Sequence, residues 1–295
     1  MTPQIVPLPT FQGVSSNANQ EVQATTKIPP GLLLRKIILA VSVAAGNKTL
    51  DQILNDIRLT VDGKDQRIAT ATEIDSINSR NGEKYALSTS GSIGAGNLVS
   101  YLTLFLLEPW RSDPLSNNGR LYAWNLNGVD GVSIKANIKT GLTTPLLAGF
   151  YEYEPVIGNQ GFGPLVKWLR KDFGPTATPV DVPDIFNLQQ PNRLHSLHLF
   201  PTTGGQYVNK VSLKFDSTLY LDQVDYLTQQ ANLNAYGLTP DAGATPRFDV
   251  ELDQSDSLSD TLLLQGKISQ NAKLDFSAGP SGNMHIISQL FGPKE

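Results

Sequence analysis

The feature that most constrains this chain is a unit it spells twice. Ile57-Arg58-Leu59-Thr60-Val61 alternates apolar with polar residues, the period of a half-buried strand. Asp62-Gly63 follows as a turn, because glycine enters the positive-φ region that tight turns need. A helical passage comes next. Thr70 and Glu73 form a capping-box pair, Ile74 and Ile77 share one face, and Asn81-Gly82 is a stop. Roughly 150 residues later the pattern recurs. Val211-Ser212-Leu213-Lys214-Phe215 alternates, Asp216-Ser217 turns, and Val224, Leu227 and Ala231 carry helical spacing up to a stop at Tyr236-Gly237. Two copies of strand, turn, helix and stop, at matching places in two halves, imply two copies of one domain.

A length of 295 residues is enough for each copy to bury its own core. The chain has no Cys, which excludes disulfides, thiolate metal sites and thiol nucleophiles, and fits synthesis in a reducing cytoplasm. Only 17% of residues are charged, against about a quarter in an average domain. With a net charge of −4 there is no basic face for nucleic acid, so no direct nucleic-acid partner is expected. The 25 Gly and 19 Pro suit many strands joined by many turns. Met1-Thr2-Pro3-Gln4-Ile5 lacks the basic and apolar regions of a secretory leader, so none is expected. The longest apolar runs, 37–45 and 102–107, fall short of the ~20 residues of a membrane-spanning helix, and a soluble protein is expected.

Residues 1–19 hold three prolines and no core-facing period, so they read as an irregular or extended arm, either docking Ile5, Val6, Leu8 and Phe11 on a neighbour or simply a disordered end. Strands are expected at 21–28, 32–43, 98–107, 121–124, 132–138 and 146–153 in the first half. In the second half they are expected at 165–173, 193–200, 207–216, 247–252, 262–264, 273–276 and 284–288. Arg35-Lys36 interrupts the apolar run of the long second strand, which puts part of it in solvent. The Gly91-to-Gly96 stretch lacks the Lys-Ser/Thr and following helix of a phosphate loop and reads as a mobile loop. The Asn47-Lys48-Thr49 sequon reads as a turn, 156–163 as a Gly-rich linker, and 174–191 as a Pro-rich excursion. A parallel βα fold would need a helix after nearly every strand, and each half has one. The expected fold is all-β: two tandem jelly-roll β-sandwiches, each with a short helix inserted after a central strand. The expected division is an arm at 1–19, a first jelly roll at 20–155 and a second at 156–295.

Reactive chemistry is hard to assemble from these residues. His195 and His198 stand three apart on one strand, which in a regular strand turns them to opposite faces, and they read as surface or interface residues. His285 is isolated. No Gly-x-Ser-x-Gly elbow occurs, and the serines read as loop residues without a nearby histidine. Asp249, Glu251, Asp253, Asp256 and Asp260 are the best metal candidates, but their spacing is that of a solvated strand face and no Asp-x-Asp-x-Asp-Gly loop is present. Trp110 reads as the pin of a strand end and Trp168 as partly exposed. No catalytic, cofactor-binding or metal-binding residue is assigned, no cofactor is expected, and the chain does not read as an enzyme.

The order of segments nevertheless resembles one family. Ile57 to Gly63 with its Leu-Thr-Val-Asp-Gly ending, Leu102 to Arg111 closing on Glu-Pro-Trp-Arg, and Tyr122 to Ile138 carry it in the first half. Leu165 to Phe173 with Trp-Leu-Arg-Lys, Arg193 to Tyr220, and the helix to Gly237 carry it in the second. From about Gln23 to its end the chain is similar to the major capsid proteins of corticovirus-like phages, tailless icosahedral phages with an internal membrane. The resemblance implies a double jelly roll that trimerises into a pseudo-hexagonal capsomer with both sandwiches upright. It also implies contacts with a penton or vertex protein and with viral membrane proteins. Some relatives bind structural calcium, and no matching ligand set is found here. The arm is longer and richer in Pro than the family pattern. The rival readings are a carbohydrate-binding or adhesin β-sandwich, which needs an exposed aromatic platform, and a two-domain β-sandwich hydrolase, which needs carboxylates converging in a cleft.

Overall fold

The repeated unit is a hairpin before it is a helix. Strand Leu54–Val61 buries Ile57, Leu59 and Val61, reverses at Asp62 and Gly63, and returns as strand Lys64–Thr70. Asp62 holds φ 48° and Gly63 φ 80°, the positive-φ pair a tight hairpin demands. Helix α2 (Ala71–Arg80) follows without a break. The Thr70 hydroxyl accepts from Glu73 N at 3.2 Å and the Glu73 carboxylate accepts from Thr70 N at 2.7 Å, so the capping box closes as expected. Ile74 and Ile77 are buried, and the chain leaves through Asn81 and Gly82, at φ 122°. The second copy repeats each step: strand Val208–Phe215, a turn with Asp216 at φ 53°, strand Thr218–Asp225, then α3 (Tyr226–Ala235), capped by Asp225 and released at Gly237. Each hairpin's second strand was illegible in the sequence. In 64–70 the alternation is hidden because Gln66 and Arg67 are buried polar residues. The Arg67 guanidinium lies 5.4 Å from the Trp124 ring centroid and donates to the Phe105 carbonyl at 2.5 Å. In 218–225 Val224, read as helical, belongs to the strand.

The computed structural model describes residues 2–44, 48–90, 99–111, 122–156, 161–202, 206–241, 243, 245–253, 260–277 and 283–295. The expected Gly91-to-Gly96 loop, the Asn47 position of the sequon and Asp256 lie outside these residues. The chain divides into two units, Met1–Leu165 with Lys294–Glu295, and Val166–Pro293.

In the first unit the strands are β1 (Gln4–Pro7), β2 (Val22–Ile28), β3 (Leu32–Val43), β4 (Leu54–Val61), β5 (Lys64–Thr70), β6 (Ser88–Ser90), β7 (Val99–Phe105), β8 (Trp124–Asn125), β9 (Val132–Ile138) and β10 (Pro145–Pro155), with a single-turn helix α1 (Leu50–Ile53) before β4. One sheet runs β1-β10-β3-β7-β6, with β8 also on β3, and the facing strands run β5-β4-β9-β2. In the second unit they are β11 (Leu165–Phe173), β12 (Val180–Val182), β13 (Arg193–Pro201), β14 (Val208–Phe215), β15 (Thr218–Asp225), β16 (Phe248–Glu251), β17 (Leu262–Leu263), β18 (Gln270–Phe276) and β19 (Met284–Gly292). Here the orders are β11-β19-β13-β16 and β15-β14-β18-β12. Strand by strand, β1-β10-β3-β7 corresponds to β11-β19-β13-β16 and β5-β4-β9-β2 to β15-β14-β18-β12. The duplication is therefore one of connectivity. The core of the second unit draws Leu194, Leu197 and Leu199 from one sheet and Val211, Leu213 and Leu274 from the other, the packing of a sandwich.

This correspondence changes the reading of residues 1–19. The segment is the counterpart of the opening strand β11 and docks on its own unit. β1 pairs antiparallel with β10, Leu8 N donates to Gly149 O at 2.9 Å, Gln12 and Thr25 exchange backbone hydrogen bonds, and Leu8 and Phe11 are buried. Prolines at 3, 7 and 9 hid the strand, and they suit a sheet edge where no further strand pairs. The first unit ends after Leu165 rather than after Pro155. The Phe11→Ala variant is expected to lose about 3–5 kcal/mol of stability, the usual cost of emptying a buried aromatic site, read by urea denaturation. A loss under about 0.5 kcal/mol, the scale of a surface change, would contradict this anchoring of the segment.

Candidate assembly surfaces and the ionic network behind them

Both units break strand alternation at the same place. In β3 the core residues are Leu34, Ile37 and Leu39, and in β13 they are Leu194, Leu197 and Leu199, a spacing of three and then two. The extra residue has no partner in the register. Leu34 pairs Tyr153 and Lys36 pairs Glu152, skipping Arg35; Leu194 pairs Leu290 and Ser196 pairs Gln289, skipping His195. Each is a β-bulge, and each turns an ionisable side chain to the face away from the core. The bulge is why His195 and His198 do not point to opposite faces as regular alternation requires. Both lie on the side away from Leu194, Leu197 and Leu199. The sequence signal was present in Leu34-Arg35-Lys36-Ile37-Ile38-Leu39 against Leu194-His195-Ser196-Leu197-His198-Leu199.

Around the first bulge, Arg35 pairs Glu152 at 2.9 Å and also Glu154, and Lys36 pairs Glu152 at 2.9 Å. The Arg35 carbonyl accepts from Leu106 N and Leu107 N, both at 2.9 Å, so the bulge also fastens the end of β7. This part of β3 is half-buried and ion-paired rather than simply solvent-facing. Next to that strand end Trp110 packs edge-on against Tyr85 and Phe105, with ring centroids 5.3 and 5.7 Å away, the pinning role its position suggests. Trp168 is buried, not exposed.

Around the second bulge the network is buried. His198 Nδ1 lies 2.5 Å from Asp249 Oδ1, and Arg247 Nε donates to the same oxygen at 2.5 Å. His195 Nδ1 is 3.5 Å from Asp253 Oδ2. All five residues, with Glu251, are less than a tenth exposed. The reading of His195 and His198 as surface residues, and of Asp249, Glu251 and Asp253 as a solvated strand face, is therefore corrected. Alternation shows only that the two sides of a strand differ, and here the polar side is buried too. Ser196 is also placed differently than expected, 3.1 Å from His198 Nε2. That completes a serine–histidine–aspartate row, but the hydroxyl donates to Gln289 Oε1 at 2.8 Å and is about 1% exposed. It cross-links strands and no substrate reaches it. Among the described residues no group of three or more His, Asp or Glu is placed to hold a metal. Asp249 Oδ1 faces Arg247 and His198, and Asp253 Oδ2 faces His195.

The two turn aspartates form a second duplicated device. Asp62 accepts from Asp130 N at 3.0 Å and pairs with Lys294. Asp216 accepts from Ile268 N at 2.7 Å and Ser269 N at 3.0 Å. The Lys294 hydrogen bond, then the Asp130 N–H, hold the Asp62 carboxyl below its ordinary value, and the Ser269 and Ile268 N–H groups do so for Asp216. Each clamp ties its hairpin tip to another loop of its own unit.

Most of the large exposed apolar side chains lie on two surfaces. In the first unit Ile5, Leu146 and Phe150 stand outward on β1 and β10, where Pro7 pairs Phe150 in register. In the second, Leu219 and Tyr220 of β15 and Leu227 and Tyr236 of α3 and its cap are exposed. Surfaces of this kind suit contact with other protein chains.

Comparison with solved structures gives the class. The chain is similar to the major capsid protein P2 of bacteriophage PM2, with a TM-score of 0.77 and 17% identity over 99% of this chain and 97% of that one. The major capsid protein of Sulfolobus turreted icosahedral virus matches with a TM-score of 0.67 and 12% identity over 99% and 97%. A PBCV-1 virus capsid chain matches with a TM-score of 0.63 and 9% identity over 98% and 93%. A sequence search of curated proteins returns no match. The fold is the double jelly roll of viral capsid proteins. Residues 5–154 match the family model of the viral coat protein P2 N-terminal domain, and the chain belongs to that family. It is a viral coat protein, and its place is the capsid shell of the virion.

Two outcomes follow from the geometry. Asp249→Ala leaves Arg247 and His198 buried without their shared carboxylate and is expected to cost about 3–5 kcal/mol in urea denaturation; a cost under about 0.5 kcal/mol would show the network to be idle. The lowered carboxyls of Asp62 and Asp216 contribute stability that is complete above the ordinary value of 3.8 and is lost as pH falls below it through the folded-state values. The urea midpoint is therefore expected to drop between about pH 4 and pH 2, less steeply in an Asp62→Asn, Asp216→Asn double variant. Equal slopes would contradict the clamps.

Proposed function

We propose that this coat protein is a major capsid protein that acts as a homotrimer, each trimer a pseudo-hexameric capsomer of an icosahedral shell enclosing a membrane. The observation that supports this is the duplicated connectivity. One chain supplies two sandwiches of the same strand order, so three chains about a threefold axis supply six similar modules. Capsomers that tile a shell then need contacts with copies of themselves, with a penton or vertex protein at the fivefold positions, and with membrane proteins beneath. In this reading residues 1–19 act as a strap along the β10 edge of the first sandwich.

The role is structural and not enzymatic. Tiling needs area and complementarity rather than a reactive group. The exposed Ile5–Phe150 and Leu219–Tyr236 surfaces offer such area, and the buried histidines are spent on cross-links.

Light scattering on purified protein tests this reading. A stable species of three times 32.0 kDa is expected, and a monomer that persists at high concentration would refute the trimeric capsomer.

A further inference from the structure

A groove in the second unit borders the exposed Leu219–Tyr236 surface and shares Leu227 with it. It encloses about 640 Å³ and is lined by Tyr207, Asn209, Lys210, Asp225, Tyr226 and Gln230, with Leu227, 72% exposed, at its mouth. That volume lies within the range of about 300–1,000 Å³ typical of small-molecule sites. One wall is fixed. Tyr226 packs against core Phe248 at a centroid distance of 6.3 Å, donates its hydroxyl to the Asp241 carbonyl, and accepts from Gln230 Nε2 at 2.5 Å. Tyr207 meets Tyr226 at 5.4 Å and 52°, so the two rings form a corner open to solvent.

The polar groups at that corner are still available. Among the described residues the Tyr207 hydroxyl, the Asn209 amide and the Lys210 ammonium have no hydrogen-bond or ion-pair partner. Asp225, which caps α3, accepts from the Thr228 amide and hydroxyl at 2.9 and 2.8 Å and from the Leu227 N–H, and lines the groove beside Lys210. Lysine and amide donors therefore stand beside carboxylate and amide acceptors, next to aromatic faces, and the charges of Lys210 and Asp225 cancel. Vicinal hydroxyls need that alternation of donors and acceptors, and the C–H face of a sugar ring stacks on a tyrosine. A nucleotide or an acidic sugar would ask for excess positive charge, which this groove lacks.

We propose that this groove binds a neutral oligosaccharide, giving the coat protein a glycan contact. The test is saturation-transfer NMR of the intact protein with maltotriose, chitotriose and mannotriose. At least one is expected to bind saturably with a dissociation constant on the order of 1 mM. Tyr207→Ala and Asn209→Ala are each expected to weaken it by about ten-fold or more, with thermal melting and solution mass unchanged. Asn209→Ala removes no buried group, so it separates loss of the ligand from loss of the fold. No saturable binding to any of the three sugars overturns the proposal, as does binding that both variants leave intact. Loss of self-association in either variant also overturns it, because the groove would then be a contact between copies.

Discussion

A long strand inside a sandwich has to keep its apolar residues in register with the opposite sheet while it bends, and this chain meets that demand with one inserted residue. The insertion falls at Arg35 in the first unit and at His195 in the second, on strand pairs that hold the same place in the sheet order. Without it, Ile37 and Leu39, or Leu197 and Leu199, would swing to the outer face. With it, a charged or ionisable group leaves the core and needs a partner. Glu152 and Glu154 supply one pair of carboxylates and Asp253 the other partner. The ionic network is thus a consequence of the bulge, and the bulge is a consequence of packing two sheets.

The same economy explains what the sequence could and could not disclose. Local rules were readable: the Thr70–Glu73 capping box, the Asp62-Gly63 turn, the Gly82 and Gly237 stops and the bounds of 32–43. What was hidden depends on neighbours distant in the chain. β5 is polar in sequence because Gln66 and Arg67 are paid for by partners far away in sequence, among them Phe105 and Trp124. β1 was hidden by prolines tolerated at a sheet edge. The buried His198–Asp249–Arg247 cluster was read as surface because a polar strand face covered by other residues looks the same, in one dimension, as a face covered by water. The core spacing that marks both bulges is present in the sequence but shows only when the two halves are laid over one another.

Duplication gives this architecture its use in a shell. One chain carries two modules of shared connectivity but different surfaces. In the first, the outer face of β1 and β10 is apolar beside an ionic row; in the second, the edge strand β15 and helix α3 expose Leu219, Tyr220 and Leu227. In the proposed trimeric capsomer, a single gene product would present similar packing geometry and distinct contacts at alternating positions, which six identical modules could not. The turn clamps at Asp62 and Asp216 hold the hairpin tips of both modules against neighbouring loops, so surface contacts are presented from a braced frame.

Electron cryo-microscopy of assembled particles containing this protein tests the central claim most directly. The account predicts capsomers with a six-lobed footprint built from three chains, each lobe one sandwich standing upright on the shell. Capsomers of six chains, or sandwiches lying flat in the shell, would contradict it.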